Sequence, residues 1–329
     1  VALFHPWLKS RGGSERVVLE ILKNKSLDVD IFTWVYDKEM TFDEFKKYKV
    51  HVVAPKIAQK LSRNYILRGL FLPLSLFSRI PVEKYDVFLI STSGVAEFIT
   101  FRNYKPGKTF AYVYTPLRAA SRDEIGWNLK HRYKNIFSKM LYLAATGVYR
   151  LAEKIAWKRI DVAMFDSKLS RQRAKDHDLV KDKKTAVIYP SMDLEKYRNV
   201  KTCNKGYFLY ASRFNPHKRQ DLLVRAWKKW NSGKKLVLAG SIEDREYFRR
   251  VTKLAEGSNI DIMPNLTEKK LTEMYASCKA VVFVPYKEDF GIVPFEALAL
   301  GKPIIASAEG GYTELIKPSR DVIFIKEKK

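Results

Sequence analysis

Two carboxylates in the string PYKEDFGIVPFE, residues 285–296, are the groups in this sequence best placed to hold a polar ligand. Glu288 and Glu296 stand eight positions apart and flank the tripeptide Phe290-Gly291-Ile292. An apolar run precedes them and an alanine-rich run follows, which predicts a strand, a loop and a helix. Acceptor carboxylates beside the free N–H groups of a helix N-terminus suit a ligand rich in hydroxyls and phosphate. The alternative is a solvated loop acid and an ordinary helix N-terminal charge.

Two cations, Arg213 and Lys218, lie in the string YASRFNPHKRQDLL, between a predicted strand and a predicted helix that Asp221 is expected to cap. The loops after parallel strands share one edge of an open α/β sheet, where ligands bind. The pair is therefore predicted to face the same side as Glu288 and to neutralise a diphosphate. His217 and Arg219 are interpreted as neighbours of this pair. A solvated basic loop is the alternative.

Two glycine pairs could bring backbone close to a phosphate. Gly12-Gly13 opens a predicted helix and leads into Ser14-Glu15-Arg16, while Gly310-Gly311 follows a later predicted strand. The dinucleotide pattern G-x-G-x-x-G is absent, and plain turns are the alternative.

Together these strings resemble glycosyltransferase family 4, a family of retaining enzymes with the GT-B fold. The match includes the E-x7-E signature with Phe290, Gly291 and Ala297 in register, an R-x4-K pair, and G-G-x-E-R-V and G-G-x-x-E loops. The resemblance covers nearly the whole chain, although in the first half it rests on motifs alone. The start H-P-x-L…G-G-S-E-R-V looks closest to mannosyltransferases.

The resemblance implies roles for individual residues. Glu288 would contact hydroxyls of the donor sugar, Glu296 the nucleotide ribose, and Arg213 with Lys218 the donor diphosphate. Glu15, Arg16 and Arg118 are expected at the acceptor. The full expected donor set is Gly12, Gly13, Arg213, Lys218, Glu288, Phe290, Gly291, Ile292, Glu296, Gly310 and Gly311.

Tyr114 departs from the family pattern. Related mannosyltransferases often carry H-T-P-x-R where this sequence has Tyr114-Thr115-Pro116-Leu117-Arg118. A tyrosine can donate a hydrogen bond but does not titrate near neutral pH. Either Tyr114 substitutes for the histidine, or the sugar is held differently, or the side chain simply packs at a strand end. The catalytic set predicted here is Arg213, Lys218, Glu288 and Tyr114.

The chain-wide pattern is that of an α/β protein. Short apolar runs alternate with helical stretches in two series, separated by the polar stretch 190–206. This predicts two domains, residues 1–190 and 191–329, each with a doubly wound parallel sheet. The resemblance implies two Rossmann-like domains with a cleft between them, the first binding the acceptor and the second the nucleotide sugar. The family's closing C-terminal helix is expected to be missing from this sequence.

The net charge of +25, from 61 Lys and Arg against 36 Asp and Glu, predicts an anionic partner. A lysine-rich thermophile surface would also explain part of it. Residues 53–80 hold five Lys and Arg and no acid, and residues 126–160 hold eight against Glu153. Apolar residues interleave with the second set, which favours an anionic membrane surface; the alternative is that they are core. They are Tyr133, Phe137, Leu141, Tyr142, Tyr149 and Trp157.

Several classes are disfavoured. Cys203 and Cys278 are too few for a disulfide framework, which favours a reducing compartment, and no His or Cys spacing suggests a metal cofactor. Neither a signal peptide nor an apolar run of about 18 residues is present. No nucleic-acid-binding motif accompanies the charge, so no nucleic-acid partner is expected.

The sequence therefore predicts a retaining hexosyltransferase without an obligatory metal or other cofactor. It would use GDP-mannose, or a UDP-sugar such as UDP-glucose, and a lipid-linked acceptor, and would lie peripherally at the cytoplasmic face of a membrane. The alternatives are a sugar-nucleotide epimerase and a basic nucleic-acid- or membrane-binding protein on a degenerate GT-B fold.

Overall fold

The chain consists of two compact units, residues 1–191 and 192–329, in a computed structural model that describes residues 1–63, 75–131, 133 and 135–326. The division falls one residue after the boundary that the sequence predicts.

The first unit is built on a seven-stranded parallel sheet with the order β5-β3-β1-β6-β7-β8-β9. Its strands are β1 Ala2–Phe4, β3 Asp30–Thr33, β5 Val50–Val52, β6 Phe88–Thr92, β7 Thr109–Val113, β8 Val162–Phe165 and β9 Lys184–Val187. Two short strands, β2 Trp7–Leu8 and β4 Val35–Tyr36, pair with each other beside it. The helices are α1 Gly13–Lys23, α2 Lys56–Arg63, α3 Arg122–His131, α4 Ile136–Trp157 and α5 Lys168–Asp176.

Side chains that alternate along these strands fill a core on each face of the sheet. In β1, Ala2 and Phe4 pack with Trp34, whereas Leu3 packs on the opposite face with Val18 of α1. Because both faces of the sheet are buried, side chains on both faces of each strand are apolar. This explains the continuous apolar runs in the sequence.

The second unit carries a six-stranded parallel sheet with the order β12-β11-β10-β13-β14-β15. Its strands are β10 Tyr207–Ala211, β11 Lys235–Gly240, β12 Ile260–Pro264, β13 Ala280–Phe283, β14 Ile304–Ser307 and β15 Val322–Ile325. The helices are α6 Glu195–Arg198, α7 Gln220–Trp230, α8 Arg245–Ala255, α9 Glu268–Ser277 and α10 Val293–Ala299.

This strand order is that of a Rossmann sheet. Strands β11 and β12 are added on one side of β10, and strands β13 to β15 on the other, so the switch point lies between β10 and β13. Leu209 and Val281 from these two strands lie in one core, while Phe208 and Val282 lie in the other. The loops that leave the carboxyl ends of β10 and β13 diverge to opposite faces, which opens a crevice at the sheet edge. The predicted doubly wound parallel sheets are thus confirmed in both units.

No helix within the described ranges is long and apolar enough to cross a bilayer. Residues 64–74, the centre of the basic stretch 53–80, lie outside the described residues, as do Arg132, Lys134 and residues 327–329.

Candidate active site

Three loops meet at the carboxyl edge of the second sheet, and backbone hydrogen bonds join them. The Tyr286 N–H, after β13, donates to the carbonyl of His217, after β10, at 2.8 Å. The Gly311 N–H, after β14, donates to the carbonyl of Glu288 at 2.9 Å. Main-chain hydrogen bonds therefore hold together the loops that carry the predicted donor residues.

Lys218 and Glu288 form an ion pair at the crevice between β10 and β13. The Lys218 Nζ lies 2.6 and 2.7 Å from the two carboxylate oxygens, and both side chains are largely buried. The lysine is set by a 3-10 turn, Pro216–Lys218, in which the Asn215 side chain accepts from the Lys218 N–H at 3.2 Å. The Tyr210 hydroxyl, from β10, donates to the Lys218 carbonyl and so holds the turn against the strand. The sequence predicts both residues in the site but not their pairing.

Arg213, the second predicted cation, is more exposed than Lys218. Its Nη1 lies 3.0 Å from Glu243 Oε2, and about half of each side chain is exposed. The Asn215 Nδ2 donates to the same Glu243 oxygen at 2.9 Å. A guanidinium in this position is held by solvent-screened contacts, so it can turn toward an anion at little cost.

Arg219, interpreted from the sequence as a neighbour, connects the loops after β10 and β14. Its Nη1 lies 2.8 Å from Glu309 Oε1, and its guanidinium stacks 4.7 Å from the centre of the Tyr286 ring. Glu309 directly precedes Gly310-Gly311, so the ion pair holds the second glycine pair beside the first two loops.

Glu296 is buried in the first turn of α10. The Tyr275 hydroxyl donates to its Oε2 at 3.0 Å and the Tyr197 hydroxyl to its Oε1 at 3.1 Å. Lys196 Nζ lies 3.8 Å from Oε1. Glu296 is thus a charge at the helix N-terminus, as the alternative has it, but its carboxylate is buried and held by two tyrosine hydroxyls.

Gly291 has a positive φ of 84°, and protein atoms fill the space on its side-chain face. A Cβ there would lie 2.8 Å from Tyr312 Cδ1 and 3.1 Å from Glu288 Cγ. The family resemblance places this glycine in the donor-binding set, and the structure shows that it also makes room for Glu288. Its neighbour Phe290 is buried and stacks on Phe295 at 5.1 Å, and Ile292 caps α10.

In the first unit, Tyr114 ends a hydrogen-bonded chain across β1, β6 and β7. Its hydroxyl donates to the Ser14 carbonyl at 3.0 Å and lies 3.0 Å from Ser91 Oγ, which is 2.9 Å from His5 Nδ1. Burial raises the pKa of Tyr114 well above 10 and lowers the pKa of His5. The one hydroxyl proton of Tyr114 goes to the Ser14 carbonyl, so Ser91 donates to Tyr114 and accepts from His5 Nδ1. Tyr114 anchors the start of α1, and its assignment as a sugar contact stays a prediction.

The residues predicted at the acceptor also make contacts within the first unit. Glu15 is buried and accepts from the hydroxyls of Ser10 and Ser14, the second at 2.9 Å. Arg16 stacks 5.3 Å from the centre of the Phe42 ring, and Arg118 lies 3.3 Å from Glu124. Gly12 precedes α1 and Gly13 begins it.

The prediction that Asp221 caps the helix after Lys218 is wrong. Arg219 occupies the cap position with a left-handed backbone, and Asp221 instead accepts from the Tyr247 hydroxyl at 2.8 Å. Within the described residues, no group of three His, Cys, Asp or Glu is arranged to hold a metal ion.

Known glycosyltransferases resemble this chain. The family model described as Glycosyl transferases group 1 matches residues 191–329, which cover the whole second unit. The chain is a glycosyltransferase. This glycosyltransferase is 24% identical to one relative, the alpha-1,3/1,6-mannosyltransferase ALG2 of Kluyveromyces lactis, over 96% of this chain and 71% of that protein. It is also 24% identical to human ALG2, over 97% of this chain and 82% of that protein.

Solved structures match the whole glycosyltransferase fold at low identity. Anabaena HepE, solved with UDP and glucose, superimposes with a TM-score of 0.65 at 16% identity, covering 99% of this chain and 85% of that one. Sucrose-phosphate synthase from Thermosynechococcus elongatus gives a TM-score of 0.69 at 16% identity, covering 100% and 86%. The fold of this glycosyltransferase is GT-B, and the prediction of that fold is confirmed.

Proposed function

We propose that this glycosyltransferase moves mannose from GDP-mannose to a lipid-linked acceptor, with retention of configuration and without an obligatory metal. The observation that carries the proposal is the Lys218–Glu288 ion pair, which joins the loops after β10 and β13 at the switch point of the second sheet, where open α/β sheets bind ligands. The buried Glu296 follows in the first turn of the helix after β13. ALG2 proteins, which are mannosyltransferases, match nearly the whole chain and support mannose as the sugar.

The proposed reaction follows from these side chains. The bond between the anomeric carbon and the diphosphate breaks, and its electron pair leaves with the nucleoside diphosphate. Lys218 and Arg213 stabilise that developing charge, as fixed cations do best in a partly buried site. The acceptor hydroxyl bonds to the anomeric carbon on the same face, and its proton passes to the departing phosphate. Glu288 holds hydroxyls of the sugar, and Glu296 those of the ribose.

A nucleotide screen tests the donor. GDP should raise the melting temperature of the protein, because a ligand at about 100 times its Kd stabilises by about 2.7 kcal/mol. Release of GDP from GDP-mannose should accompany transfer to a polyprenyl-diphosphate glycan. Stabilisation by UDP and turnover of UDP-glucose alone would contradict the mannose assignment. A protein that neither binds any nucleoside diphosphate nor turns over a nucleotide sugar would contradict the whole site.

For the acceptor side, we propose that α4 docks on an anionic membrane surface, at the cytoplasmic face. This 22-residue helix exposes Ile136, Phe137, Met140, Leu141, Val148 and Leu151, each more than 60% accessible. Spacings of three and four residues place most of them along one stripe. Lys139, Arg150 and Lys154 also lie on the helix, and its one acid, Glu153, is buried. An apolar stripe with cations and no exposed acid fits the headgroup region of an anionic bilayer.

Of the apolar residues that the sequence places on this surface, only some are exposed. Phe137 and Leu141 are exposed as expected, but Trp157 is buried, and Tyr142 and Tyr149 donate to the carbonyls of Ala119 and Gly94. The alternative of a core position is thus correct for Trp157, and the hydroxyl bonds of the two tyrosines hold them against the unit. Ile136, Met140, Val148 and Leu151 take their place in the exposed stripe.

Vesicle binding tests the docking surface. Phe137→Glu and Leu151→Glu should each lower binding to anionic vesicles at least about tenfold, because each removes about 1.5–3 kcal/mol of buried apolar surface and adds repulsion. Leu222→Glu, at an exposed leucine of α7, is the matched control and should bind normally. Binding should weaken as salt rises. Equal affinity of all three variants, or tight binding to duplex DNA in place of vesicles, would contradict the membrane assignment.

A further inference from the structure

The Glu296 carboxylate is held from two separate elements. Tyr275 reaches its Oε2 from the last turns of α9, and Tyr197 reaches its Oε1 from α6, which lies 99 positions away in the sequence. Both rings are at least 95% buried in the same core, and Lys196 approaches Oε1 at 3.8 Å. Protein hydrogen bonds thus fix this flexible acidic side chain at both oxygens.

The direction of these bonds is set by chemistry. An ionised carboxylate only accepts, so each tyrosine hydroxyl must donate. Burial, followed by the nearby Glu296 charge, raises the pKa of Tyr275 well above 10, so this donor keeps its proton throughout the working range. Two carboxylate oxygens offer about four acceptor positions. The tyrosines use one on each oxygen and leave the others for a ligand.

We infer that Tyr197 and Tyr275 are positioning residues that aim the remaining acceptor positions of Glu296 at the ribose hydroxyls of the donor nucleotide. The inference rests on the proposed function, in which Glu296 binds the ribose. It also explains how the site would discriminate ribose from a sugar that lacks its hydroxyls. A ribose carries two vicinal hydroxyls that can donate to the two fixed oxygens of Glu296, whereas a nucleotide without them leaves these buried acceptors unpaired.

Binding of GDP and UDP, each compared with its 2′,3′-dideoxy analogue, tests this role. Tyr275→Phe and Tyr197→Phe retain the ring and remove only the hydroxyl. Each should weaken binding of the nucleotide with ribose by about 3- to 10-fold, because a hydrogen bond to a charged group is lost. Neither should alter binding of the dideoxy analogue. With the sugar donor, KM should rise and kcat should change little.

Tyr207→Phe is the matched control. Tyr207 packs against the same core, but its hydroxyl donates to the Met274 carbonyl at 2.7 Å and not to Glu296. A loss that merely loosens this core should appear in Tyr207→Phe too, and it should weaken ribose and dideoxy nucleotides alike. Melting temperatures of the three variants report whether the unit remains folded.

Glu296→Gln separates the inference from the proposed function. If Glu296→Gln loses ribose discrimination and both tyrosine variants keep it, the tyrosines do not position the carboxylate and the inference is overturned. If Glu296→Gln itself binds the two nucleotide classes as the wild type does, the ribose contact proposed for Glu296 is wrong. Loss of discrimination in Glu296→Gln and in the tyrosine variants, with Tyr207→Phe unaffected, supports both.

Discussion

Replacing Lys218 by alanine is expected to lower kcat/KM about 10²- to 10³-fold, a loss of about 2.7–4 kcal/mol of transition-state stabilisation. The ammonium group is largely buried and held by a fixed turn, so it needs little reorganisation when charge develops on the diphosphate. Arg213→Ala is expected to lower kcat/KM as well, though less, because the guanidinium is about half exposed. Steady-state kinetics with the nucleotide sugar measures both effects.

The control for Lys218 is another lysine of the same unit with an acidic partner. Lys235 lies 2.7 Å from Asp261, both about half exposed, at the start of β11, which is the opposite end of the sheet. Lys235→Ala should leave kcat/KM within about twofold of the wild type, as expected for a surface pair. Wild-type turnover in both Lys218→Ala and Arg213→Ala would show that neither cation acts on the leaving group.

Because Lys218 and Glu288 form an ion pair, Lys218 could act on the diphosphate or only orient Glu288, and Glu288→Gln distinguishes these two roles. If Lys218 acts on the diphosphate itself, Lys218→Ala should weaken binding of bare GDP, whereas Glu288→Gln should spare it and slow only the reaction of the full donor. If Lys218 serves only to orient Glu288, both variants should spare GDP and both should lower kcat. The two residues are 70 positions apart, and their contact is what makes the distinction necessary.

The sequence predicts the sheets because both faces of each parallel strand are buried. Among the apolar runs of the second series in the sequence, residues 207–211 coincide with β10, and residues 235–239 coincide with β11 except for Gly240. The order of the strands in the sheet does not follow from these runs alone. It follows from right-handed crossovers and from the family resemblance. The short parallel pair β2 and β4, Trp7–Leu8 with Val35–Tyr36, has no such run and was not predicted.

For the site, spacing along the chain identifies the residues and gives little about their partners. Glu288 and Glu296 are found by their separation, but Tyr197 and Tyr275 have no local signal, since each reaches Glu296 from a distant element. Glu243 and Glu309, the partners of Arg213 and Arg219, are missed for the same reason. The Asp221 prediction was wrong because a left-handed Arg219 shifts the helix start, which residue type does not reveal.

Replacing Gly291 by alanine is expected to destabilise the second unit by about 2–5 kcal/mol and to lower kcat/KM about 100-fold. A positive φ costs an alanine about 1–2 kcal/mol, and overpacking a filled site costs about 1–3 kcal/mol more. The added Cβ would lie 2.8 Å from Tyr312 Cδ1 and 3.1 Å from both Phe283 Cε1 and Glu288 Cγ. Tyr312 and Phe283 are almost fully buried, and the Tyr312 hydroxyl donates to the Ser307 carbonyl, so Glu288 is the group most able to move.

Gly301→Ala provides the matched comparison, because Gly301 also has a positive φ, of 63°. Gly291 precedes the N-terminus of α10, and Gly301 follows the C-terminus of the same helix. Nothing lies within 4 Å of the Cβ that would be added there, so this variant bears the backbone cost alone. We therefore expect Gly301→Ala to lose about 1–2 kcal/mol and to keep normal turnover. Thermal unfolding and steady-state kinetics compare the two. The loss of activity in Gly291→Ala should exceed that of Gly301→Ala well below the melting temperature of either, since a displacement of about 1 Å at a substrate contact can cost about 100-fold in rate. If the two variants lose stability and activity to the same degree, the packing around Gly291 does not set the position of Glu288.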